Sequence, residues 1–209
     1  MAFPNTPVLD NFNRANEGPP PSANWVGGIM AASNLVVDTN VCACNVAGNG
    51  DAVWNTNVGP DCEVFADLST LPGEGAAHDF GLWIRAKDEG GATIDGYFLL
   101  SERVAAATDL QALGRFDNGT FTQLGATEQL FEFVAGDQIG VSALGSTLAY
   151  YRNGTQQFTR TDATYGAAGK IGLLMENTTG RWDNFGGGTF FKKLVGNNFR
   201  LAGAGGLAS

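Results

Sequence analysis

Glu63, Phe65 and Asp67 stand at alternate positions of residues 61–68, so their side chains share one side of a β-strand, while Cys62, Val64, Ala66 and Leu68 take the other. Two carboxylates on one face invite a comparison with glycoside hydrolysis, which needs its acid and its base or nucleophile roughly 5–9.5 Å apart. In an extended strand, residues four apart are separated by about 13 Å at their backbones. The spacing therefore predicts a solvated or Arg-paired face, with Arg85 on the adjacent strand as the partner, in preference to a catalytic pair. Phe65 and Trp83 are expected to project from this face, with Tyr97 as a third ring. Such a set suits carbohydrate, since aromatic faces take the apolar side of a sugar and Glu63, Asp67 and Arg85 its hydroxyls. It suits protein contact equally, because aromatic and Arg side chains anchor interfaces. A third reading has a loop or tail covering the patch.

Asp10-Asn11-Phe12 and Asp183-Asn184-Phe185 repeat one tripeptide near the two extremes of the chain. The repetition predicts two strands side by side, each burying a Phe and presenting an Asp. Asp10 and Asp183 could then share a structural calcium, the one cofactor the sequence suggests. Calcium takes six to eight oxygen ligands, and no compact acidic loop supplies them, so these carboxylates are better read as acceptors for backbone amides at strand ends. His78 has no Ser or Cys partner motif and no Gly-x-Ser-x-Gly elbow, which predicts a structural role. Cys42, Cys44 and Cys62 read as buried thiols, with a bridge from Cys62 to Cys42 or Cys44 as the alternative. Gly186-Gly187-Gly188 does not lie between a strand and a helix and is no phosphate loop.

These residues sit on about a dozen short strand-like segments separated by Gly- and Asn-rich turns. Asn118-Gly119 and Asn153-Gly154 supply the positive φ angles of tight hairpins; together with Asn177-Thr-Thr they match glycosylation acceptors but read as turn chemistry. Residues 18–22, Gly-Pro-Pro-Pro-Ser, form a loop no strand could cross. No stretch carries convincing helical periodicity, although residues 102–107 could form one turn. With 209 residues, 44% hydrophobic, 16% charged and 30 glycines, the chain is large enough for one two-sheet antiparallel sandwich over residues 1–190, followed by a Gly/Ala-rich arm at 191–209. The arm's only charges are Lys192, Lys193 and Arg200, and it reads either as a frayed terminus or as a segment that orders against a neighbouring subunit.

A net charge of −9 leaves no basic footprint for nucleic acid or for an anionic membrane surface. No apolar run reaches the ~18 residues of a membrane span. Residues 1–10 show neither a basic nor an apolar signal region, so the expectation is synthesis in a cytoplasm without signal-peptide export.

Residues 61–69, the Phe80-Gly-Leu-Trp-Ile-Arg run, Gly96-Tyr-Phe-Leu-Leu, residues 140–154 and the stretch from Gly169 to Arg181-Trp-Asp-Asn-Phe resemble successive strands of the laminin G-like, concanavalin A-like jelly rolls. The resemblance covers roughly residues 8–190 and rests on the order and spacing of the pieces. It implies two antiparallel sheets with one concave face, and no single function. Some relatives of the fold are β-glucanases with three acids at alternate strand positions; here Phe65 replaces the central one, which argues against a glycoside hydrolase. Laminin G-like domains of this size also resemble phage surface proteins. The expected function is accordingly a non-catalytic structural component of a virus particle, a head decoration (cement) or tail/fibre protein that contacts capsid or tail proteins and copies of itself. The alternative is a carbohydrate-binding module, which could engage host glycans.

Overall fold

The structure, a computed structural model, describes residues 3–29, 33–75, 77–105 and 108–190. Fifteen strands and no helix are found among them. In chain order the first are β1 (Val8–Asp10), β2 (Trp25–Gly27), β3 (Leu35–Asp38), β4 (Val41–Cys44) and β5 (Asn49–Trp54). There follow β6 (Cys62–Thr70), β7 (Phe80–Lys87), β8 (Asp95–Glu102), β9 (Leu110–Asp117) and β10 (Thr120–Gln123). The last five are β11 (Asp137–Leu144), β12 (Thr147–Arg152), β13 (Thr155–Thr161), β14 (Lys170–Glu176) and β15 (Arg181–Thr189). The expected arm at 191–209 lies outside the described residues, as do 106 and 107 of the helical turn considered at 102–107.

All strand pairs are antiparallel and fall into two sheets. Sheet A runs β13-β12-β11-β6-β15-β4-β3, with β1 also on β15; sheet B runs β10-β9-β8-β7-β14-β5-β2. The fold is a jelly-roll β-sandwich, as expected. Asn118 (φ 49°) and Gly119 turn β9 into β10, and Asn153 (φ 49°) and Gly154 turn β12 into β13, the left-handed conformations that Asn and Gly adopt most readily.

Alternation puts Val64, Ala66 and Leu68 of β6 against Phe80, Leu82 and Ile84 of β7 in the shared core. Across it the Trp182 indole N–H of β15 donates to the carbonyl of Leu174 in β14 at 3.1 Å, so one buried polar group joins the two sheets instead of being left unpaired. The two tripeptides do lie side by side: Asp10 pairs with Phe185 and Val8 with Gly186. Phe12 and Phe185 are buried and both meet Trp25, with ring centroids 6.0 and 4.6 Å away. One detail departs from expectation. Asp10 is buried, and its carboxylate accepts from the Trp25 indole (2.9 Å), the Phe12 amide (2.9 Å) and both terminal nitrogens of Arg14 (2.6 and 3.1 Å). It therefore braces the N-terminal strand from within.

Candidate functional site

The six residues expected to make one binding face do not share one. β6 belongs to sheet A and β7 to sheet B, so the outer sides of Phe65 and Trp83 point to opposite surfaces of the sandwich. The chain passes from β6 to β7 by changing sheets, and a nine-residue connection at 71–79 looks the same in sequence whether it closes a hairpin or crosses the core.

On the outer side of sheet A, Glu63 and Phe65 are covered. Residues 3–7 run over β6 as a strap. The amides of Asn5 and Thr6 and the Thr6 hydroxyl all donate to Glu63 Oε1, the last two at 2.6 and 2.7 Å. Phe3 stacks on Tyr151 with centroids 4.0 Å apart and meets the edge of Phe65 at 6.4 Å. Glycine makes this close seal feasible: a Cβ on Gly140 would stand 2.2 Å from the Phe3 ring. Glu63 is 0% exposed and Phe65 2%, so neither reaches solvent, let alone a substrate. Asp67 stays half-buried, accepting from Gln138 Nε2 (3.0 Å) and Asn184 Nδ2 (2.9 Å). Of the readings open in sequence, cover by a chain segment describes Phe65, and the segment is N-terminal.

Arg85 pairs with neither Glu63 nor Asp67. It occupies an irregularity in β7 with φ +54° and turns inward, 1% exposed. Its guanidinium donates to the carbonyls of Pro60 (2.7 Å), Gly145 (2.9 Å) and Tyr165 (2.9 Å), tying three loops together at one end of the sandwich. Tyr97 also points inward. Its hydroxyl donates to Asp162 Oδ1 at 2.8 Å and accepts from the Tyr165 amide, and burial pushes its pKa up to about 12. Both residues are structural braces.

Asp183 Oδ1 accepts the Asn184 amide at 2.8 Å, and burial, with Asp67 and Asp10 nearby, raises its pKa. Asp10 and Asp183 thus do accept backbone amides, and Arg14 already lies on the Asp10 carboxylate where a calcium would bind. Among the described residues no group of three or more His, Cys, Asp and Glu is gathered for a metal. Cys42, Cys44 and Cys62 are buried free thiols, and burial pushes Cys62 up to about 12. His78 Nε2 stands 3.2 Å from Asn177 Nδ2.

Trp83 has a different setting. On the outer side of sheet B it forms a second apolar cluster with Val53, Ile94, Phe98 and Leu174. Its ring is 0% exposed, covered by Phe98 (4.6 Å) and Phe116 (4.8 Å). Phe116 in turn meets Phe121 at 5.3 Å, and Phe121 packs against Gly114, where a Cβ would be only 2.3 Å from its ring. Above this layer Leu100, Phe116 and Phe121 remain half-buried, and with Phe98 they line a cavity of about 210 Å³.

At the rim of that cavity are three polar residues sequence reasoning passed over: Asn49, Asp79 and Glu176. Asp79 and Glu176 come together because β7 and β14 are neighbours. The Glu176 amide donates to the Asp79 carbonyl at 2.7 Å, and the Asp79 amide to Glu176 Oε2 at 3.3 Å. Burial, then the nearby Glu176 and Glu102, pushes Asp79 up to about 7, and burial raises Glu176. An acid half in its neutral form near pH 7 can both donate and accept hydrogen bonds. The signal was a pair of acids at the ends of two apolar strands 97 residues apart, which becomes legible only once those strands are paired.

The sequence matches no protein-family model and no curated protein. Solved structures do match the fold. A carbohydrate-binding module, CBM66 from Bacillus subtilis, superposes with a TM-score of 0.61 at 16% identity, covering 79% of this chain and 97% of its own. The metal-free carbohydrate recognition domain of Emp46p gives 0.61 at 10%, covering 88% and 95%. Bacillus licheniformis β-glucanase gives 0.55 at 12%, covering 87% and 97%. The chain therefore has the concanavalin A-like jelly-roll architecture that carbohydrate-binding modules, lectins and glucanases share.

Proposed function

We propose that the protein is a non-catalytic carbohydrate-binding domain that receives its ligand on the outer face of sheet B. The observation that carries this reading is the cavity of half-buried Leu100, Phe116 and Phe121 bordered by Asn49, Asp79 and Glu176. Aromatic rings take the apolar face of a pyranose or furanose, and neighbouring carboxyl and amide groups bond its hydroxyls. The fold neighbours that bind or recognise carbohydrate support the ligand class. The cover over Glu63 supports the non-catalytic part, since that carboxylate is held by three donors and fully buried.

The test is a glycan and polysaccharide array probed with the intact protein and with Phe121→Ala. Binding that weakens about tenfold in the variant, the worth of one aromatic stack, supports the assignment. An intact protein that binds nothing on the array, or a variant that binds as well, removes it.

A structural role on a virus particle is the second reading, and it is compatible with the first. It is favoured by one sequence feature, the apolar and basic stretch 191–209 on an otherwise acidic chain. Particles assembled with a chain lacking residues 191–209 should fail to carry it; retention at full occupancy would count against this role.

A further inference from the structure

A larger cavity, of about 720 Å³, opens beside the N-terminal strand and the end of β15. Its walls include Pro7, Leu9, Trp54, Val58 and Phe190, over the backbone of Gly187 and Gly188, and among the described residues no charged side chain lines it. An open apolar groove around a half-buried Trp is costly to leave facing water. It lies apart from the aromatic cavity of sheet B and, among the described residues, shares none with it.

We propose that this groove receives residues 191–209 of a second copy of the chain, and that two copies exchange these segments reciprocally. Phe190, the last described residue, is itself a wall of the groove, so the stem of the donated segment and the site that accepts one are the same place. Two copies set groove to groove then trade segments about a two-fold axis, and the assembly closes at two. The segment carries the matching chemistry. Leu194, Val195, Phe199 and Leu201 are apolar, while Lys192, Lys193 and Arg200 bring positive charge to a chain of net −9 and reduce the repulsion between copies. Its 19 residues span up to about 60 Å when extended.

A segment returning into its own groove is less well served. Residues 191–195 contain no Gly, Pro or Asn, and the first reversal signal is Gly196-Asn197-Asn198. A hairpin there would set Phe199 beside Val195 and Leu201 beside Lys193, leaving Phe199 and Leu201 beyond Phe190 and outside the groove. A facing copy can lay Leu194, Val195 and Phe199 into it directly.

The test is oligomeric state by size exclusion with light scattering, using the full chain throughout. Thr56→Arg places a long side chain in the groove from an exposed position, and Phe199→Asp removes an anchor from the segment. The unaltered chain is expected to run as a dimer and each variant as a monomer with an unchanged circular dichroism spectrum. An equimolar mixture of the two should regain a dimer, because one intact segment then meets one intact groove. Leu201→Asp repeats the test if Phe199→Asp proves insoluble. A monomeric unaltered chain, or dimers that persist in both variants, overturns the proposal. So does a monomer whose residues 191–209 are protected from hydrogen exchange, which would give the groove to the chain's own segment.

Discussion

The two outer faces of this sandwich are built from the same parts and end up in opposite states. Each packs aromatic rings closely against glycines: Phe3 on Gly140 in sheet A, Phe121 on Gly114 in sheet B. On sheet A the upper ring belongs to a strap, residues 3–7, whose amides are fastened to Glu63, and the layer beneath is closed to water. On sheet B the rings come from the strands themselves, and the uppermost, Phe116 and Phe121, stay half-buried beside Asp79 and Glu176. Aromatic richness alone therefore does not mark a ligand surface. What decides is whether the chain spends another segment to cover it.

The contrast is sharpest at Phe65. As a sealed core-like ring, Phe65→Ala should lower the unfolding free energy by about 3–5 kcal/mol in urea titration, yet leave the affinity for any glycan unchanged. A loss of binding with unaltered stability would reverse the roles assigned to the two faces. Next in size is Glu63→Gln, which keeps an acceptor for the strap but removes its charge. It should cost about 1–2 kcal/mol and speed hydrogen exchange at Asn5 and Thr6 selectively. Phe121→Ala should cost only about 1 kcal/mol, because the ring is half exposed, while abolishing most binding. That is the opposite ratio of effects to Phe65→Ala.

A pH dependence is also expected, led by Asp79 beside sheet B, with Asp183 on sheet A adding in the same direction because burial raises it too. Asp79 titrates near 7 in the folded chain against an ordinary value of 3.8. Between these values the folded state keeps a proton the unfolded state has lost. Stability should thus fall as pH rises from about 4 to about 7, then level off. Glu176, also raised by burial, adds in the same direction. Asp79→Asn should flatten most of this slope in a series of melting temperatures across that range; an unchanged slope would place the buried proton elsewhere.

Much of this architecture is legible in the sequence, because its determinants are local. The alternation Cys62-Val64-Ala66-Leu68 picks out the inner side of β6, and Asn-Gly dipeptides mark two hairpins at their observed places. The repeated Asp-Asn-Phe tripeptides give even a long-range pairing, since similar strands seated at one end of the sandwich meet the same Trp25. The site was not legible, for two reasons. Nothing local in residues 71–79 says that the chain changes sheets there, so Phe65 and Trp83 could not be assigned to opposite faces. And the value of Asp79 comes first from its burial and then from Glu176, both of them delivered by sheet order.

β15 has one further consequence. It holds β6 along one edge and, in succession, β4 and β1 along the other. Until residues 181–189 have left the ribosome, sheet A exists only as separate ribbons with open edges, and no earlier strand can stand in. Closure by so distant a piece of chain makes for slow maturation. Nascent chains shorter than this point should sediment with chaperones instead of as compact domains.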